Sequence, residues 1–138
     1  MGLPGSGKST YLAGLGVTPI SSDAIRQILA DDATDQSIHA RVFATMRYLL
    51  RQRLALRRVT TYMDATHLTP GERAPYIQIA RAYGSRVEAL FFDVPLGICL
   101  ARNTARSRVV PPEAIMEMSA KLQPPTESEG FDTIIRID

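Results

Sequence analysis

The sequence has a single cysteine, two lysines and no long apolar run. Each shortage narrows what the chain can be. Cys99 sits among apolar residues in "GICLAR"; alone it supports neither a disulfide framework nor a cysteine-based metal cluster, and it reads as a small buried hydrophobe in a reducing cytosol. No apolar run reaches the roughly 18 residues that span a bilayer, and no signal-peptide pattern opens the chain. A cytoplasmic protein with no membrane partner is therefore expected. There are no repeats, low-complexity tracts or internal linkers. The lysines are Lys8 and Lys121, and the rest of the 16 basic residues are arginine, which suits forked phosphate contacts. A net charge of +2 does not by itself argue for nucleic acid. With 45% hydrophobic and 22% charged residues, the 138 residues read as one domain around a single core.

What is present stands out at the start. Residues 1–10 read "MGLPGSGKST", and residues 2–9 fit G-x-x-x-x-G-K-[ST], the phosphate-cradling P-loop. With lysine so scarce, chance yields this pattern roughly once per thousand such chains. The motif calls for ATP and Mg²⁺. Gly2, Pro4, Gly5, Ser6, Gly7, Lys8, Ser9 and Thr10 form the nucleotide-binding stretch. Backbone amides of Gly5 to Ser9 surround phosphate oxygens, Lys8 reaches the β- and γ-phosphates, and the Ser9 hydroxyl holds Mg²⁺. A P-loop joins a strand to a helix. That strand, apolar and central, is expected upstream of Gly2, so the domain over 1–138 reads as N-terminally incomplete.

Hydrophobic periodicity then gives an alternating order of elements. A helix is expected from about Gly7 to Leu15, a strand over Val17–Ile20 and a helix in "SSDAIRQILADD" capped by Ser22. A long helix follows from about Gln36 to Arg58, then a strand over 59–63 ended by Asp64, and a helix between Pro70 and Gly84. "RVEALFFDV" is a strand, "PLGICLARNTAR" and "PPEAIMEMSAKL" are helices, and "FDTIIRI" is the last strand. Alternation of this kind implies an α/β domain with a mostly parallel sheet.

Other residues bear chemistry. Asp23 and Arg26 follow a strand end, where ligands bind in open α/β sheets, and their spacing of three puts both on one face of a first helical turn. Asp23 can accept a proton from an attacking hydroxyl while Arg26 grips an anion; the bland alternative is a helix-cap aspartate. Asp64 is either a Walker-B-like carboxylate orienting a metal-bound water or a turn residue of "DATHLT". Mg²⁺ is thus expected on Ser9, with Asp23 or Asp64 reached through water. His67 has no partners at zinc-like spacing and reads as a loop or substrate-side residue. Arg102, Arg106 and Arg108 lie between a helix and a proline turn, where they either close over a transferred phosphate or form a solvated basic turn. The arginines of the long helix (41, 47, 51, 53, 57 and 58) read mainly as a solvated face.

With "GLPGSGKST", "SSDAIR", "DATHLTPGER" and "ARNTARSRVVP" in order, the chain resembles the kinase domain of the polynucleotide 5′-kinase family, within the P-loop kinase superfamily. The resemblance covers nearly all of it from Gly2. It implies a central parallel sheet flanked by helices with a helical lid. It also implies transfer of the ATP γ-phosphate to a 5′-hydroxyl DNA or RNA end. Lys8, Asp23 and Arg106 would be catalytic, with Asp23 as the general base; Arg26, Asp64 and His67 would be substrate-binding; Arg102 and Arg106 would contact the nucleotide phosphates. Two departures are visible: the first strand is not in the sequence, and His67 stands where the family often has asparagine, which bears on substrate choice. A small-molecule kinase with the same P-loop and lid, and a nucleotide-switched binding module, are the alternatives.

Overall fold

The computed structural model describes residues 1–107 and 109–138. The helices fall close to their expected places: α1 (Lys8–Gly14), α2 (Ser22–Ala30), α3 (His39–Ala55), α4 (Pro70–Ala82), α5 (Leu96–Thr104) and α6 (Pro112–Lys121). Local chemistry explains the boundaries. The Ser21 hydroxyl, one residue earlier than expected, accepts from Ala24 N at 3.3 Å and starts α2. Thr69 caps α4 in the same way, with Pro70 in the first turn.

The strands are β1 (Ile20–Ser21), β2 (Met63–Asp64), β3 (Glu88–Phe92) and β4 (Thr133–Ile137). Two are far shorter than the apolar patterns over 17–20 and 59–63 suggest. A β-branched stretch becomes a strand only where a neighbour offers a ladder. Upstream of Met63 the chain instead leans on α3: the Arg53 guanidinium donates to the Thr61 hydroxyl at 2.9 Å and to the Thr60 carbonyl at 2.8 Å.

The sheet is likewise not continuous. β1 pairs in parallel with β2, Ser21 opposite Asp64, and β3 pairs in parallel with β4 from Glu88–Thr133 to Phe92–Ile137. Among the described residues these are two separate two-stranded pieces. Among the described residues, Met1 and Gly2 reach into the space between them. The Met1 nitrogen donates to Leu90 O at 2.8 Å, Phe92 N donates to Met1 O at 3.0 Å, and Gly2 N donates to Thr66 O at 3.1 Å. The pair of bonds flanking Phe91 is the parallel-ladder pattern. Beyond them a trough of about 710 Å³ opens between the edges of β2 and β3, walled by Tyr62, Met63, Ala89 and Leu90 and floored by Ile77. It lies where a central strand is expected, beside the strand carrying Asp64.

The core follows this division. One cluster joins Ile25, Val42, Met46, Leu50, Tyr76 and Ile79 from α2, α3 and α4. A second puts Leu3, Leu68 and Cys99 under the P-loop, and a third gathers Ile77, Ala89 and Phe131. Arg73, 2% exposed, binds them together. It grips Glu129 with both arms at 2.7 and 3.0 Å and donates to the carbonyls of His67 and Gln123, each at 2.9 Å. No helix is long and apolar enough to cross a membrane among the described residues.

Candidate active site

The P-loop owes its shape to its glycines and to what lies beneath them. Gly5 has φ +83°, and a Cβ there would come within 2.5 Å of the Cys99 carbonyl oxygen, so the loop rests directly on α5. Gly7, at φ +98°, precedes α1 with no side chain capping it. The Ser6 amide donates to Leu3 O at 3.1 Å, and the amides of Gly5, Gly7, Lys8 and Ser9 are left to an external anion, as a phosphate nest requires. Ser9 and Thr10 are exposed at its rim, and Ser6 is buried beneath. The Lys8 amine donates to the carbonyls of Gly2 at 2.8 Å and Leu3 at 2.9 Å. Its pKa is lowered to about 8, mainly by burial; Asp64 opposes the shift and Arg106 adds to it.

On the facing side, β1 ends at the cap of α2 and delivers Asp23 and Arg26 to the same cleft. Their ion pair spans 3.5 Å across one helical turn. Arg26 is 4% exposed, an unusual degree of burial for an arginine, and its Nε has no hydrogen-bond partner among the described residues. A buried N–H of this kind calls for an acceptor. The β1–β2 register sets Ser21 opposite Asp64, so two strand ends carry Asp23 and Asp64 to one end of the sheet. Burial raises the pKa of Asp64, while the charge of Lys8 works against the rise.

His67 departs from the expected arrangement. It is 8% exposed, sits at φ +48°, and lies edge-on to Tyr76 with ring centroids 5.0 Å apart. It borders the trough, whereas Asp23 and Arg26 border the cleft. Burial, with nearby positive charge, pushes its pKa down to about 3, so it is a neutral interior residue. The left-handed turn at 67 turns its side chain inward, which the sequence gives no means of seeing.

The third wall comes from α5 and the turn after it. The Arg102 guanidinium lies 3.7 Å from the position a Cβ would take on Gly7, placing it at the P-loop. Arg106 Nη1 is buried without a hydrogen-bond partner among the described residues. Arg108 lies outside the described residues. The turn is fixed by Asn103, fully buried, whose amide nitrogen donates to Val110 O at 2.6 Å and whose oxygen accepts from Val110 N at 3.0 Å. Neither Asn103 nor the Arg73–Glu129 pair announces itself in the sequence, since each partner lies far off or on an irregular turn.

One cleft of about 810 Å³ is therefore lined by Lys8, Asp23, Arg26, Asp64, Arg102 and Arg106. Its donor set fits a nucleotide triphosphate: a glycine nest, a lysine and two arginines. Among the described residues no cluster of three or more His, Cys, Asp or Glu side chains forms a metal cage. A Mg²⁺ ion here would rest on the Ser9 hydroxyl, phosphate oxygens and water, as this hard, strongly hydrated cation commonly does.

An AAA domain family matches residues 1–125. The chain belongs to that family. Human L-seryl-tRNA(Sec) kinase is 34% identical over 83 residues, covering 60% of this chain and 24% of the human protein. The mouse L-seryl-tRNA(Sec) kinase is 33% identical over 83 residues, 60% of this chain and 23% of its own length. The chain thus spans about a quarter of the length of the curated relatives it matches. The P-loop at residues 2–9 and the split α/β architecture are compatible with membership of this AAA domain family.

Proposed function

We propose that the chain is an ATP-dependent phosphotransferase acting on a hydroxyl that sits beside a phosphate in its acceptor, with a 5′-hydroxyl DNA or RNA end as the preferred case. The observation that carries this is the convergence of Lys8, Asp23, Arg26 and Arg106 on one cleft. The P-loop amides and Lys8 hold the triphosphate. Asp23 takes the proton as the acceptor oxygen bonds to the γ-phosphorus and the bond to the bridging oxygen of ADP breaks. Arg106 neutralises charge on the phosphoryl group in flight. Arg26, buried with a free Nε, holds the acceptor's own phosphate one helical turn from Asp23. Mg²⁺, held through the Ser9 hydroxyl, would supply positive charge that offsets the charge of the triphosphate.

The names of the relatives favour a second acceptor, the seryl hydroxyl of an aminoacylated tRNA, which also hangs from a phosphate-bearing nucleotide. A side-by-side transfer assay separates the two. With γ-labelled ATP, label should enter a 5′-hydroxyl oligonucleotide, weakly a nucleoside 3′-monophosphate, and scarcely a free nucleoside. Label in seryl-tRNA but not in the oligonucleotide would move the assignment to the aminoacyl end. Equal labelling of nucleoside and 3′-nucleotide would leave only a small-molecule kinase.

A further inference from the structure

We propose that α3 is the nucleic-acid-binding element of this protein: its first turn stacks the terminal base of the acceptor, and its outer face carries the phosphates that follow. The inference rests on the nucleic-acid acceptor proposed above. Two independent observations point to it.

The first lies inside the cleft. His39 and Phe43, one helical turn apart, both line it beside Asp23 and Arg26. Their rings pack 4.6 Å apart at 44°. Phe43 is half-buried against the core, whereas His39 is exposed. A rigid aromatic pair at the acceptor end of a phosphoryl-transfer cleft suits the flat face of a base, and base–aromatic stacking is indifferent to sequence.

The second is charge. Residues 36–63 hold six arginines and no aspartate or glutamate, in a chain whose net charge is only +2. The other residues are therefore acidic on balance, and the positive charge is concentrated on α3, which carries four of the six arginines, and on the turn after it, which carries Arg57 and Arg58. Arg41, Tyr48 and Arg51, at spacings of seven and three, share a helix face turned away from buried Val42, Met46 and Leu50. Tyr48 is 59% exposed, and Arg41 and Arg51 are exposed. Arg53 is engaged with Thr60 and Thr61. By contrast, the guanidinium groups of Arg41, Arg51 and Arg57 make no ion pair or hydrogen bond among the described residues. A purely solvating helix face mixes both signs of charge; an acid-free one with an interposed tyrosine is complementary to a polyanion that carries bases. From His39 to Arg51 the helix rises about 18 Å, the length of about five stacked nucleotides.

The test is binding, which needs no transfer. A labelled 5′-phosphorylated single strand of about a dozen nucleotides is titrated by fluorescence anisotropy from about 50 to 200 mM salt. Wild type should bind with a steep salt dependence. Arg41→Glu with Arg51→Glu should weaken binding by about tenfold or more and flatten the log–log salt slope by at least about 1.4, two single-strand contacts at about 0.7 each. His39→Ala, on an exposed side chain, should weaken binding by about fivefold or more without changing the slope. ATP affinity should be unchanged in both variants. Unaltered affinity and slope in the variants, or no binding by wild type, would overturn the inference. If the oligonucleotide binds as described but label goes only to a small acceptor, the acceptor assignment fails and the binding role of α3 stands. If the oligonucleotide is phosphorylated and the variants bind it normally, only the role of α3 fails.

Discussion

Two hollows of similar size, about 810 and 710 Å³, lie back to back in this molecule and share Lys8 and Asp64 as part of their common wall. The cleft is held by two local devices, the Ser21 cap and the two bonds between Asn103 and Val110, and by one long-range contact, the seat of Gly5 on the Cys99 carbonyl. The trough has strand edges and apolar side chains along its sides, and among the described residues Met1 and Gly2 bridge it. The difference shows that site geometry and site support are separable. Most groups lining the cleft are positioned by capping and turn bonds, while the bridge behind Lys8 is a ladder two residues long.

The most severe test of the cleft is Asp23→Asn. Losing the general base should lower turnover by about 10³-fold, near the middle of the range for such groups, with ATP affinity preserved. Loss of nucleotide binding along with turnover would show that Asp23 supports the loop instead. Arg106→Ala comes next, at about 10²-fold or roughly 3 kcal/mol in the transition state, read as kcat with saturating ATP. Wild-type turnover there would reduce the turn after α5 to a surface feature. On the other side of the wall, joining an apolar, β-branched strand of about five residues to the amino side of Met1 should raise the thermal midpoint by about 5 °C, since a few degrees correspond to about 1 kcal/mol in a domain of this size. A Gly-Ser extension of equal length should not. If both extensions behave alike, the trough is no strand seat.

The smallest effect expected is on pH. Lys8 titrates at about 8 in the folded protein against an ordinary 10.5. Between those values the unfolded chain holds a proton that the folded chain does not, so stability should rise with pH across that window; below about 8 the burial cost is present in full. ATP phosphates favour the charged amine, so nucleotide affinity should fall as pH passes about 8. A fluorescent-nucleotide titration should show this slope in wild type and lose it in Lys8→Met. Equal slopes in both would assign the titration elsewhere.

Much of this was legible in the residues themselves. The P-loop, the Asp23–Arg26 spacing and the six helices follow from local pattern and capping chemistry, which act within a few residues. The strands are shorter than their composition suggests. Val17–Ile20 and residues 59–63 have the composition of strands, but only Ile20–Ser21 and Met63–Asp64 are paired, and pairing is a property of the neighbour. His67 lies in a loop at φ +48° and borders the trough, a placement that hydrophobic pattern does not encode. Arg73 with Glu129, 56 residues apart, could not be matched without the fold.

The central claim, that the cleft transfers phosphate to a hydroxyl instead of merely holding or hydrolysing a nucleotide, is tested most directly by following one label to its two possible fates. Protein, Mg²⁺ and γ-labelled ATP are incubated with a 5′-hydroxyl oligonucleotide, and label in the oligonucleotide is measured against label released as inorganic phosphate. The oligonucleotide should carry most of the transferred label, and transfer should stop when its 5′ end is already phosphorylated. Release of inorganic phosphate at one rate, whatever acceptor is present, with none of it covalently captured, would contradict the account and describe a nucleotide-driven switch.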